Sequence, residues 1–174
     1  MTDFSEIRAF AFDVDGVFTN GGILCDTQGE LYRTFDAKDG FAVRMAVMKG
    51  YPVGVITGGR SRSITERFLT SGVKEEDVYL GSRNKIEQLQ DFCQRHYLTA
   101  DQILFIGDDI PDLEVIQACG IGFCPADAVP EIKAVADIVS DYNGGHLCVR
   151  DAIERVLKVQ GHWNFDAMVY KKLF

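Results

Sequence analysis

Short, unbroken apolar runs, each closing on Asp, Thr or Gly, recur along the chain with helix-length amphipathic segments between them, and this alternation leaves few folds open. Ile7 to Asp13 reads IRAFAFD, Pro52 to Thr57 reads PVGVIT, and Ile103 to Gly107 reads ILFIG. A strand that is apolar at consecutive positions is buried on both faces, which belongs to a parallel sheet covered by helices. The segments between supply those helices. Asp39 is expected to cap a helix running to Lys49, with Gly50 as its stop. Ser61 to Thr70 reads as the next, and Asn84 to Arg95 places Ile86, Leu89 and Phe92 on one face. Short strands are expected at Asp77 to Leu80, Ile121 to Phe123 and Ile138–Val139, with a helix over Pro130 to Ala136 and a last one from Gly145 to about Val159. Residues 22–35 read as a β-hairpin around the turn Asp26-Thr27-Gln28-Gly29. The expected architecture is a doubly wound α/β parallel sheet forming one domain over 1–174, with a hairpin insertion after the first strand and a C-terminal helix and tail over 145–174.

Composition narrows the partners. Hydrophobic residues make up 47% and charged residues 25% of the 174, as in a globular chain. The formal net charge of −8 disfavours nucleic acid and anionic membrane. It also means that an anionic substrate needs a local cation or metal. The five cysteines, Cys25, Cys93, Cys119, Cys124 and Cys148, are odd in number and form no CxxC pair, so they read as reduced thiols. Met1 to Arg8 carries acids and no apolar signal region, and no apolar run approaches the ~20 residues that span a bilayer. A cytoplasmic location is expected.

Four features carry chemistry, and each falls at the end of an expected strand or the helix start beyond it. Asp13-Val14-Asp15-Gly16 puts two carboxylates at a strand end. Thr57-Gly58-Gly59 offers a hydroxyl and free main-chain N–H groups, an anion cradle. Lys85 stands in the first turn of a helix, the unfavourable end for a cation unless an anion answers it. Asp108, Asp109 and Asp112 put three carboxylates in five residues, which repel unless a cation is close. Taken singly, each has a plain structural explanation: an Asp-Gly turn, a helix entry, a surface lysine, an N-cap. Taken together they meet, because strand ends in a parallel sheet share one edge. Oxygen ligands of this kind suit Mg²⁺, and with Lys85 such an ion admits a phosphate into an acidic cleft.

In this order the four motifs resemble those of the haloacid dehalogenase superfamily of phosphotransferases, a Rossmann-like fold, over about residues 7–140. The resemblance implies that Asp13 attacks phosphorus and forms an aspartyl phosphate. Asp15 then serves as acid to the leaving alkoxide and as base to the hydrolytic water. Mg²⁺ is held by Asp13, the main-chain carbonyl of Asp15, and Asp108. Thr57, Gly58 and Lys85 bind the transferring phosphoryl group, with Asp109 and Asp112 as outer supports.

The segment from Asp15 through Gly22, the hairpin to Phe35, Asp39-Gly40 and Gly144-Gly145 with Val149-Arg150 narrow the resemblance to the 3-deoxy-D-manno-octulosonate (KDO) 8-phosphate phosphatases of lipopolysaccharide sugar synthesis. These lack a large cap domain and imply a homotetramer with the hairpins at its centre. Three departures stand out: Asn20 where Asp is usual, His146-Leu147-Cys148 in a stretch usually richer in glycine, and residues 160–174, whose aromatics pack either on a neighbour or on the chain's own core. A sister group acting on a nine-carbon nonulosonate 9-phosphate carries Glu after Thr-Gly; Gly59-Arg60 stands here. Arg60 and Arg67 are candidates for the sugar carboxylate, with Arg33, Arg44 and Arg62 as competitors. A two-component receiver domain is excluded by motif order, since its adjacent acidic pair lies on the first strand. A non-catalytic oligomerisation module of the same fold is the remaining rival of another class.

Overall fold

Alternating bulk on the first strand sets the two faces of the sheet. In the computed structural model, which describes residues 3–165, β1 (Ala9–Phe12) sends Phe10 and Phe12 to one face and Ala9 and Ala11 to the other, all four fully buried. A hairpin of β2 (Leu24–Cys25) and β3 (Leu31–Tyr32) follows, then α1 (Ala37–Met48), β4 (Val53–Ile56), α2 (Arg62–Leu69), β5 (Val78–Tyr79) and α3 (Lys85–His96). The chain continues through β6 (Ile103–Ile106), α4 (Leu113–Ala118), β7 (Ile121–Cys124), α5 (Pro130–Lys133), β8 (Ile138–Val139) and α6 (Cys148–Val159).

The main sheet has six parallel strands in the order β5-β4-β1-β6-β7-β8, as expected for a doubly wound fold. Register is set in the middle: Phe10 pairs with Val53 on one side and Leu104 on the other. The Phe10 face packs with Val43, Ala46, Ile64, Ile153 and Leu157 from α1, α2 and α6. The Ala9 face packs with Leu89, Phe92, Val115 and Ile132 from α3, α4 and α5. The small Ala side chains and Gly54, whose absent Cβ would lie 3.2 Å from the Phe92 ring, leave room for that ring. Burying each such phenyl stabilises the fold by roughly 1.5–3 kcal/mol. Among the described residues no helix is long and apolar enough to cross a membrane.

One expectation is corrected. Asp39 does not cap α1. Asp36 does, accepting from Lys38 N at 2.6 Å. Asp39 sits in the first turn of the helix, fully buried, and caps α6 instead: Oδ2 accepts from Leu147 N at 3.2 Å and Oδ1 from Arg150 N at 2.8 Å. The reason is local to α6, which begins on Leu147 in a left-handed conformation (φ 79°) with no side chain of its own to cap it. Burial raises the Asp39 carboxyl to about 6, against the pull of the Arg150 and Leu147 N–H groups.

The Gly144–Arg150 stretch, in which His146-Leu147-Cys148 departs from the usual pattern, braces the turn after β1. Gly145 N donates to Val17 O at 2.8 Å and Cys148 Sγ to the same oxygen at 3.2 Å, while Gly144 N donates to Asp127 at 2.9 Å. Trp163 stacks edge-on with Phe41 and lies under the Arg150 guanidinium, so this part of the tail packs on the chain's own helices. The expectations for 166–174 lie outside the described residues.

Candidate active site

β1 stands between β4 and β6, at the point where the strand order turns to either side, and ligand crevices in such sheets open at that point. The carboxyl ends of the three strands deliver Asp13, Thr57 and Asp108 to one edge, and the start of α3 adds Lys85. All line one cleft of about 520 Å³, with Asp15, Gly58, Gly59, Arg83 and Asp109. The four sequence motifs therefore do meet.

Lys85 organises the floor. Its Nζ lies 3.0 Å from Asp13 Oδ2 and 2.6 Å from Asp112 Oδ1, with its side chain only 4% exposed. Burial works against its charge, but the Asp13 and Asp112 carboxylates outweigh that and raise its pKa. Asp112 is fully engaged, since its Oδ2 accepts from Asp108 N at 3.1 Å. Burial, then the nearby Asp13 charge, raises Asp112 to about 6.

One cation does not balance this cluster. Burial raises Asp13 despite Lys85, the Val14 N–H and the Thr57 hydroxyl. Asp108 is pushed up to about 7 by burial first, then by Asp13, Asp112 and Asp109. Asp13 Oδ1 and Asp108 Oδ1 are buried without a hydrogen-bond partner. One oxygen from each of Asp13, Asp108 and Asp112 falls within 4.8 Å of the others. Because both Asp112 oxygens are taken, the free pair belongs to Asp13 and Asp108, in the turns after β1 and β6. Two orphaned carboxylate oxygens among uncompensated negative charge fit a hard divalent cation.

Glycines let these turns close on one another. A Cβ on Gly16, where φ is 85°, would lie 2.0 Å from Asp108 Oδ2, and one on Gly107 would lie 2.4 Å from Asp112 Cβ. The anion cradle is partly preformed: Thr57 Oγ1 accepts from Gly59 N at 3.1 Å. Asp109 serves its own turn, accepting from Ile110 N at 2.8 Å. Asn20 likewise bonds locally, accepting from Gly22 N at 3.0 Å.

The arginines separate. Arg33, just after β3, reaches Asp15 with two bonds: Nε to Oδ1 at 2.6 Å and Nη2 to Oδ2 at 3.0 Å. The sequence alone groups it only with the carboxylate candidates, because a contact between a hairpin and the turn before it leaves no periodic signal. Arg60 lies along Gly81 and is not among the residues that line the cleft. Arg67 lies in a separate cavity of about 540 Å³ with Gly40 and Arg44, its guanidinium over the Phe35 ring. Arg62 pairs with Glu66 on the surface at 3.0 Å, and Arg44 donates to Thr70 O at 3.3 Å. Arg83, which the sequence reading passed over, lines the cleft two residues before Lys85.

Residues 55–147 match the family model described as haloacid dehalogenase-like hydrolase. The chain is 31% identical over 161 residues to the 3-deoxy-D-manno-octulosonate 8-phosphate phosphatase of Salmonella typhi, covering 92% of this chain and 85% of that protein. It is 34% identical over 155 residues to the Haemophilus influenzae enzyme of the same name, covering 89% and 85%. The crystal structure of 3-deoxy-D-manno-octulosonate 8-phosphate phosphatase from Moraxella catarrhalis, solved in complex with magnesium, phosphate and KDO, matches with a TM-score of 0.88 at 28% identity, covering 97% of this chain and 94% of that one. With the motif order and the cleft, these likenesses place the chain among the haloacid dehalogenase-like hydrolases, in the family of the 3-deoxy-D-manno-octulosonate 8-phosphate phosphatases.

Proposed function

We propose that the chain hydrolyses KDO 8-phosphate to KDO and phosphate with Mg²⁺ as cofactor, in the cytoplasm, as a step of lipopolysaccharide sugar synthesis. The observation that carries this reading is the state of Asp13: one oxygen held by Lys85 at 3.0 Å, the other buried and unpartnered beside an equally unpartnered oxygen of Asp108. An aspartate held that way is oriented and still has an oxygen to give.

In this reading Asp13 attacks phosphorus as the bond to the sugar alkoxide breaks, which splits one very slow hydrolysis into two easier displacements. Asp15 gives its proton to the alkoxide and later takes one from the water that hydrolyses the aspartyl phosphate. Lys85, the Thr57 hydroxyl and the Gly58 backbone receive the phosphoryl oxygens, and their placement before the reaction lowers its electrostatic cost. Asp13, Asp108 and the main-chain carbonyl of Asp15 would hold Mg²⁺, and the ion would supply charge neutralisation to the phosphoryl oxygens. Asp112 keeps Lys85 and the Asp108 turn in place, and Asp109 shapes the turn between them. Arg60, beside Gly81, and Arg67, in the separate cavity, are candidates for the sugar carboxylate, and Arg83, which lines the cleft itself, is a third.

The hairpin supports a homotetramer. Leu24 is 71% exposed and Tyr32 52%, on strands whose edges are open in one copy, and Ile23 just before them is 45% exposed. Assembly would cover both the apolar side chains and the free edges. The experiment that tests the whole reading is Mg²⁺-dependent phosphate release from eight-carbon and nine-carbon keto-deoxy sugar acid phosphates and simple hexose phosphates. A large kcat/KM preference for the eight-carbon acid supports it. A preference for the nine-carbon acid moves the substrate, and no release from any of them leaves the oligomerisation module as the answer.

A further inference from the structure

Arg33 has no part in the motifs, yet it is among the most buried cations in the described residues. Its side chain is 2% exposed and forks onto Asp15, whose own side chain is 27% exposed, at 2.6 and 3.0 Å. A fork of two parallel N–H···O bonds fixes the carboxylate in rotation as well as in place. The remaining nitrogen, Nη1, is buried without a partner. An arginine retained only to hold the hairpin down would have its donors satisfied, because a buried unpaired donor is destabilising. The space for it is also prepared: the position of a Cβ on Gly59 lies 3.3 Å from Arg33 Nη2, so Gly59 lets the guanidinium lie between the acid and the phosphate cradle.

We propose that Arg33 is the positioning residue for Asp15, aiming the carboxyl group at the leaving-group oxygen and tying its aim to the order of the hairpin. This rests on the phosphatase reading above. Arg33 follows β3 directly, and Asp15 follows β1, so the fork is the strut between the inserted hairpin and the reacting centre. Phosphoryl transfer forms the bond from Asp13 to phosphorus while the bond from phosphorus to the sugar oxygen breaks, and the proton of Asp15 goes to that oxygen. An Asp15 free to rotate leaves the first bond change intact and fails at the proton.

The leaving group therefore separates this role from a structural one. A sugar alkoxide needs the proton, whereas a nitrophenolate departs without it. The experiment compares kcat/KM, which reports steps through the first phosphoryl transfer, for a sugar acid phosphate and for p-nitrophenyl phosphate with the Mg²⁺-loaded protein. Arg33→Ala is expected to lower the value for the sugar phosphate about 100-fold, with at most a severalfold change for the aryl phosphate. Arg33→Lys, which keeps one donor, should recover part of the loss. Arg33→Met, which keeps the apolar stem, should behave as Ala does and guards against a variant that merely unfolds. Equal losses on both substrates, or a loss confined to KM, overturn the positioning role alone. No phosphate release by the unaltered protein from either substrate overturns the phosphatase reading, and this inference with it.

Discussion

Asp39, fully buried in the first turn of α1, and Asp13, mostly buried at the end of β1, both hold their protons above the ordinary carboxylate range, burial being the leading cause in each. Their surroundings differ. Both oxygens of Asp39 accept main-chain N–H groups of the Leu147–Arg150 turn, so the α1–α6 junction is complete within the chain. Asp13 has one oxygen on Lys85 and one with no partner, and beside it Asp108 also leaves an oxygen without a partner. A rigid frame of four-residue strands keeps the second arrangement from relaxing into the first. The contrast teaches how to tell a buried acid that serves the fold from one that serves a reaction: the first is satisfied by its own chain, the second is held short of satisfaction.

Substitutions should separate the two regions cleanly. The largest effect is expected for Asp13→Asn, which should lower phosphate release roughly 10⁴-fold or more. Thermal melting should show no loss of stability, because the change removes one of three crowded acids. A melting point well below that of the unaltered protein would break the contrast. Next comes Asp112→Asn. It keeps the shape but weakens the grip on Lys85 and the Asp108 turn, and activity should fall about 10–100-fold, with a matching rise in the Mg²⁺ concentration needed for half-activity. Wild-type Mg²⁺ dependence in that variant would remove Asp112 from the supporting role.

Asp39→Ala should act in the opposite sense, unpairing two N–H groups at the start of α6 and lowering stability by about 1–3 kcal/mol in urea unfolding, while kcat/KM changes little. A large activity loss with unchanged stability would mean that the junction is not merely structural. The last effect is in pH. The folded Asp39 titrates at about 6 and the unfolded side chain near about 3.9. The folded chain thus binds the proton more tightly, so this group's contribution is greatest below about 4 and is lost as pH rises through about 6, the reverse of an ion-paired aspartate. The stability difference between Asp39→Asn and the unaltered protein should therefore shift in favour of the variant between those pH values. A flat difference would sink the assignment.

Much of this was legible before any coordinates. IRAFAFD, PVGVIT and ILFIG determine buried strands because apolarity at successive positions is a local property, and strands joined by helices run parallel. Parallel strands put their ends on one edge, so Asp13, Thr57, Lys85 and Asp108 had to converge. The hairpin was likewise readable from Asp26-Thr27-Gln28-Gly29, although its strands are only two residues long each. What tertiary structure alone decided is which polar groups meet across distance. Arg33 finds Asp15 across 18 positions and Asp39 finds Arg150 N across 111, while Arg67 turns toward Gly40 and away from the cleft. Those choices follow from how helices and the hairpin pack, and from which buried donor or acceptor would otherwise be left unpaired. A sequence carries no period for such pairings, because they are set by the whole fold and not by neighbours along the chain.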